Sequence, residues 1–181
     1  MTDVIRTATD RDDEPIGELL VGAFERTYAR KMPQVVMTAE RRADLRDVKS
    51  KRAIARVWVC ERNGVVIGTV TVWPAGAQGS EAWMPGAVDL RHLAVDERHR
   101  GGEVSKQLLD AAESFARAQG ASSVNLHVRR GAAGVRKLYE ARGYVRQPAG
   151  DLDLLPDVFL EAFALNLQLS GSSKASRPVS D

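Results

Sequence analysis

A single cysteine, Cys60, among 181 residues excludes any intrachain disulfide, so the fold must be held by its core. Cys60 lies beside Val59 in an apolar run and reads as a buried, inert thiol. No window approaches the ~18–20 apolar residues that a membrane span needs. The acidic start, with Asp3, Asp10, Asp12, Asp13 and Glu14, has no place for the apolar core of a secretory signal. The expectation is a cytoplasmic protein with no membrane partner. A formal net charge of +2 is far too weak to argue for nucleic acid, though it suits an anionic small ligand. The three histidines show no metal-ligand spacing, so no metal is expected. No Gly-Lys-Ser/Thr follows the pair Gly101-Gly102 and there is no G-x-G-x-x-G, which leaves a nucleotide-binding reading without a motif. No internal repeat is present.

A hydrophobic fraction of 44% and a charged fraction of 28% are those of a globular domain with a full core. One domain over 1–169 is expected, followed by a Ser-rich, disordered tail over 170–181. Val4 to Ala8 reads as a first strand. The acidic run to Glu14 with Pro15 starts a helix, carried by Ile16, Leu19, Leu20, Ala23, Phe24 and Tyr28 and ended by Pro33. Thr38 caps a second, polar helix with a thin apolar face. Val57 to Cys60 and Val65 to Trp73, joined through Asn63-Gly64, read as an antiparallel hairpin with a type I′ turn. A Gly/Ala/Pro loop, Pro74 to Gly86, carries Trp83 and Met84.

The chain is organised around Ala87 to Leu109. Val88, Leu90, Leu93 and Val95 make a strand, Asp96 to Arg100 a charged loop, and Gly101-Gly102 lead into a helix of about Glu103 to Gln119. Val104, Leu108, Ala111, Ala112 and Phe115 form its apolar face, and Gly120 sits at the C-terminal cap. A strand, a basic turn and a helix N-terminus together make a phosphate site, because unpaired N–H groups and the helix dipole favour an anion there. Arg98, Arg100 and Lys106 add positive charge. Beyond it, Val124, Leu126 and Val128 alternate as a half-buried strand, and Val135, Leu138 and Tyr139 lie on a short helix ended by Gly143. Tyr144-Val145 begins a strand, and Asp157 to Leu169 is the last strand candidate.

These residues resemble the GNAT superfamily of acyl-CoA-dependent N-acyltransferases. Leu90, Leu93 and Val95 match its strand signature, Arg100 opens its R-x-x-G-x-G/A loop, and Val104 with Leu108 and Leu109 fixes the register. The two family glycines then fall on Glu103 and Ser105. Leu138 to Tyr144, LYEARGY, resembles the second signature, while Ala132 stands where the family usually has Asn. The resemblance implies a mixed, mostly antiparallel α/β sheet flanked by helices, in the order β-α-α-β-β-β-α-β-α-β-β. It also implies acetyl-CoA as cosubstrate, held by Leu93, Ala94, Val95, Arg98, Arg100, Gly101, Gly102, Glu103, Val104, Ser105, Lys106 and Tyr139. Glu103 either repels phosphate or turns outward and leads the helix's first turn.

Acyl transfer to an amine needs a polarised carbonyl, a deprotonated amine and a protonated leaving thiolate. The resemblance assigns the first to a backbone N–H freed by a kink at Leu93, where one preorganised donor is worth ~3 kcal/mol. It assigns the acid to Tyr139, whose alternative is a helix-face aromatic packed on the sheet. Asp89, placed by alternation on the face of Leu93, is the candidate base, or else a strand carboxylate paired with Arg91. At pH 7 only about one in a thousand amines of pKa ~10 is neutral, so a base matters. Alternation puts His92 on the opposite face as a structural residue; His127 points outward to solvent, a partner or the acceptor; His99 is a surface loop residue. Trp73, Trp83 and Met84 line an apolar acceptor pocket or pack in the core or a dimer contact. Arg41, Arg42 and Arg46 meet an acidic acceptor or form a solvated face. The apolar Phe159 to Leu167 run is an edge strand and dimer contact, or an interior strand, and a monomer or homodimer is expected. The reading of an N-acetyltransferase acting on a small-molecule or protein amine stands against that of a non-catalytic CoA-binding or interaction module on the same scaffold. Glu103 and Ala132 favour the module; Tyr139 and Asp89 favour the enzyme.

Overall fold

A computed structural model describes residues 2–156 and 158–168. Its elements are β1 (Val4–Thr7), α1 (Asp13–Lys31), α2 (Ala39–Arg46), α3 (Val48–Ile54), β2 (Arg56–Arg62), β3 (Val65–Trp73), β4 (Val88–Val95), α4 (Val104–Ala118), β5 (Ser123–Arg129), α5 (Ala133–Ala141), β6 (Val145–Arg146), β7 (Leu152–Leu154) and β8 (Val158–Asn166). The strands form one sheet in the order β1-β2-β3-β4-β5-β8-β6, with β7 also on β8. Every pairing is antiparallel except β4 with β5, so the sheet is mixed and mostly antiparallel, as the resemblance implies. The expected tail, 170–181, lies outside the described residues, as do Asp157 and Leu169 at the ends of the expected last strand.

Local chemistry explains most boundaries. The β2–β3 turn has positive φ at both Asn63 (51°) and Gly64 (77°), the type I′ geometry whose twist matches the flanking strands. The Thr38 side chain accepts from the Arg41 N–H at the start of α2. Where one thin helix was expected, the chain breaks at Asp47 (φ −78°, ψ 62°) and the Asp47 carboxylate caps a new helix, α3, through Ser50 N–H at 3.3 Å. The break lets Leu45 and Val48 both reach the core. β7 is a second addition, and three residues are too few to show alternation. β8 is interior, paired with β5 on one side and with β6 and β7 on the other. Its apolar residues therefore fill the sheet rather than an edge.

The sheet buries a cluster on each face. On one, Val104, Leu108, Leu109, Ala112 and Ala116 of α4 pack with Leu90, Val95, Leu126, Val128, Tyr139 and Phe163. A Cβ on Gly68 of β3 would lie 2.8 Å from Val104 and 2.9 Å from Leu108, so α4 sits at a distance that only glycine allows. On the other, Ile16, Leu20, Val21 and Ala23 of α1 pack with Leu45, Val48, Val57, Val59 and Ala94. Cys60 is fully buried in the first cluster, where burial pushes its thiol up to about 11 and keeps it inert at neutral pH. Arg42 and Arg46 tie α2 to α1 through Glu25 (2.6 Å) and Glu18 (2.7 Å), while Arg41 pairs with Asp44 within α2 (2.8 Å).

Candidate functional site

The site begins where two strands part. Among the described residues β4 and β5 pair at Val88↔Val124 and Asp89↔Asn125 and no further. β4 stays paired with β3 and β5 with β8 on their outer sides, so the split leaves the facing edges unpaired, that of β4 from Leu90 onward and that of β5 from Leu126 onward. β4 also carries an extra residue against β3. Arg91 faces Thr71 and Ala94 faces Thr69, with His92 at φ 59° between them. This β-bulge falls at the expected kink, and it turns local backbone groups out of the ladder. The split opens a cavity of about 1400 Å³, lined along β4 by Leu90 to Val95, along β5 by His127 to Arg129, and by α1, α3 and α5.

One end of the cavity is made of backbone. Gly101, at φ 79°, and Ser105 line it beside Arg100, whose Nε donates to the Val95 carbonyl at 3.2 Å. No side chain among the described residues caps α4, so its first N–H groups are left for a ligand. Glu103 is two-thirds exposed and pairs with Lys106 at 3.1 Å. Its carboxylate thus turns outward, the milder of the two expectations. Arg98 folds back on Asp96 at 3.1 Å. Of the expected cofactor residues, Leu93, Ala94, Val95, Arg100, Gly101, Ser105 and Tyr139 line the cavity; Arg98, Gly102, Glu103, Val104 and Lys106 do not. Val104 is instead a core residue. Ala132 lines the cavity at the start of α5, which likewise has no side-chain cap among the described residues.

Tyr139 reaches the cavity from α5, its ring edge-to-face with Tyr144 at 5.3 Å. The Tyr144 hydroxyl donates to Glu113 of α4 at 3.2 Å, and Arg142 clamps Glu113 at 2.7 Å, so α5 is tied to α4. Burial, reinforced by the Glu113 charge, pushes the Tyr139 hydroxyl above its usual range and keeps it protonated at neutral pH.

The other end is made of side chains, and here the structure corrects the sequence. Asp89 is fully buried and does not line the cavity. It accepts the Glu81 backbone N–H at 2.8 Å and pairs with Arg91 at 2.7 Å, which is the ion-pair alternative. Burial raises its pKa against the pull of Arg91. Asp89 and Leu93 do not share a face either. The residue added at the bulge shifts the alternation, so Leu93 packs with the α4-side cluster, whereas His92 meets Trp73, the cross-strand partner of Asp89. His92 is buried, and its pKa is driven well down by burial and by Lys51, Arg41 and Arg91, so it stays neutral.

Asn125 matches Asp89 across the split. Its Oδ1 accepts the N–H groups of Trp83 (3.2 Å) and Met84 (3.1 Å). Two neighbouring buried polar groups thus pin the β3–β4 loop over the point where the strands separate. That pinning places Glu81 in the cavity wall, 3.5 Å from Arg91 and 4.0 Å from Nδ1 of His127. His127 does not point to solvent. Its side chain is 4% exposed, under the Trp83 ring at 5.1 Å, with Nε2 2.8 Å from the Gly150 carbonyl. Trp83 itself packs on Gly150, where a Cβ would lie 2.2 Å from its ring. Trp73 lines the cavity with Arg91 stacked on it at 4.0 Å. Glu81, Asn125 and Gly150 carry no local sequence signal, because their roles rest on contacts between distant segments.

Comparison with known proteins agrees with this architecture. A family model described as "Acetyltransferase (GNAT) family" matches residues 14–144. A mouse protein named "Probable N-acetyltransferase family 8 member 5" is 36% identical over 89 residues, 49% of this chain and 38% of that protein, so the chain spans well under half of that curated relative. A GNAT-family acetyltransferase structure from Staphylococcus aureus Mu50 superposes with a TM-score of 0.72 at 16% identity, covering 92% of this chain and 99% of that one. The Salmonella typhimurium protein yncA, solved with its cofactor acetyl-CoA, superposes with a TM-score of 0.64 at 18% identity over 100% of both chains. Among the described residues no helix is long and apolar enough to cross a membrane.

Proposed function

The chain belongs to the GNAT acetyltransferase family, and on that premise we propose that it transfers an acetyl group from acetyl-CoA by direct attack of a primary amine on a small molecule or protein. The observation that carries this reading is the meeting, in one cavity, of a bulged strand with a free edge, an uncapped helix N-terminus and a buried tyrosine. Each serves a step. The α4 N-terminus with Arg100 and Gly101 holds the diphosphate. The free edge of β4 at Ala94 and Val95 takes the pantetheine amides as an added strand would, and the backbone at Leu93 polarises the thioester carbonyl. Tyr139, kept protonated by burial, gives its proton to the leaving thiolate.

The non-catalytic module is the second reading. Of its two supports, Glu103 points away from the cavity and Ala132 remains. The test is release of free thiol from acetyl-CoA with a panel of primary amines. Amine-dependent release supports the enzyme, and binding of acetyl-CoA without release on any amine supports the module. On this reading the protein works in the cytoplasm as a monomer or homodimer, and light scattering should give a single species no larger than a dimer.

A further inference from the structure

We propose that Glu81 and His127 are the proton-accepting pair for the acceptor amine, with Asp89 and Arg91 positioning Glu81. This rests on the acetyl-transfer reading and names a base for it. The register of the split puts the pair in place. Asp89 and Asn125 are cross-strand neighbours, so Arg91 and His127, two residues further on each strand, project from the same face. Glu81 bridges them across the opening, and the bulge that frees the Leu93 backbone begins at the residue after Arg91.

The tautomer follows from hydrogen-bond chemistry. The Gly150 carbonyl can only accept, so Nε2 of His127 carries the hydrogen and Nδ1 of the neutral ring presents a lone pair. Nδ1 is buried and has no hydrogen-bond partner among the described residues, which is costly unless it has a use. The Glu81 carboxylate, 4.0 Å away, is placed to bring a proton to it and to stabilise the imidazolium that results. The separation is long for a bond in the free protein and must close in the complex, as such contacts commonly do. Among the described residues Asp89 and Arg91 of β4 contact Glu81 directly, while His92 of β4 and Arg129 of β5 line the same cavity. Trp83 covers the ring from the loop, and the Gly150 turn closes it from behind.

Protons and bonds balance. The acceptor arrives as an ammonium and gives one proton to Glu81, which shares it with Nδ1 of the buried His127 and, being itself partly exposed, releases it to solvent. The nitrogen–carbonyl carbon bond forms, the carbon–sulfur bond breaks, the nitrogen gives up its second proton, and the thiolate takes one from Tyr139, which that second proton restores. The sum is one amide, one thiol and one proton released.

The test uses the full chain in two measurements. Imidazole nitrogen NMR should give the neutral ring of His127 as the Nε2–H tautomer, with an Nδ1 resonance that moves in Glu81→Gln. An Nδ1–H tautomer, or an Nδ1 resonance that Glu81→Gln leaves in place, overturns the pair. Thiol release to the best primary amine of the panel should fall about 100-fold in kcat/KM in Glu81→Gln, with the rise of rate with pH displaced. Asp89→Asn should lose about 10-fold with the pH profile kept. Wild-type turnover that Glu81→Gln changes by less than about threefold sinks this inference and leaves the acetyl-transfer reading standing. Acetyl-CoA binding with no turnover on any amine sinks both.

Discussion

The two ends of the cavity are built from different materials. The end at α4 is backbone: an uncapped helix N-terminus, a glycine at positive φ and the free edge of β4. The end at the β3–β4 loop is side chains: Glu81, Arg91 and His127, pinned by Asp89 and Asn125. A backbone site tolerates sequence drift, because N–H groups persist whatever side chain they carry. Glu103 illustrates this, since it stands at a family glycine yet only leads the helix and pairs with Lys106. A side-chain site has no such tolerance, and exchange of one atom type removes the function.

That contrast can be broken at several points. The largest effect belongs to Glu81→Gln, expected to lower kcat/KM by about 100-fold while leaving the acetyl-CoA dissociation constant within about twofold; a parallel loss of binding in calorimetry would mean the two ends are not independent. Next is Gly150→Ala. Its Cβ would strike the Trp83 ring and shift the cover over His127, so we expect about 2–3 kcal/mol of lost stability in urea melts, with acetyl-CoA affinity kept in whatever folds. Gly101→Val probes the backbone end, where a branched side chain at φ 79° is strained by ~1–2 kcal/mol; titration should give about tenfold weaker acetyl-CoA binding and an unchanged acceptor KM.

A control lies away from both ends. Asp12 is nearly buried and bonded to Arg6 at 2.7 and 2.9 Å, which holds its carboxyl far below the usual range. A depressed folded pKa contributes stability that is complete above the unfolded value near ~4 and is lost as pH falls through the folded one. Arg6→Ala should therefore cost about 2 kcal/mol at pH 7, and the gap from the parent in urea melts should narrow as pH drops below ~4, with catalysis untouched. The smallest effect is Glu103→Ala, expected to change the acetyl-CoA dissociation constant by less than about threefold. A tenfold gain would show that the carboxylate does reach the anion.

How legible each end was follows from the same contrast. Backbone sites come from local patterns, and these are written in short range: alternation to Val95, the Gly101-Gly102 turn, the α4 face ending at Gly120, the Asn63-Gly64 hairpin. The side-chain end depends on contacts between residues 81, 89, 127 and 150, which no window of sequence brings together. The bulge at His92 is equally silent in sequence: its one added residue reverses the alternation, so strict period 2 puts Asp89 on the face of Leu93 whereas the fold puts them on opposite faces. Period-2 alternation leaves His127 open to solvent, a partner or the acceptor, because it cannot see a loop folded over a strand. α3 was missed because Asp47 both breaks one helix and caps the next.

The most direct test of the account is calorimetric titration of acetyl-CoA into the full chain. We predict micromolar binding at one site per chain, weakened by Gly101→Val and indifferent to Glu81→Gln. Absence of binding up to millimolar acetyl-CoA would contradict the claim that the bare N-terminus of α4 and the free edge of β4 hold the acetyl donor.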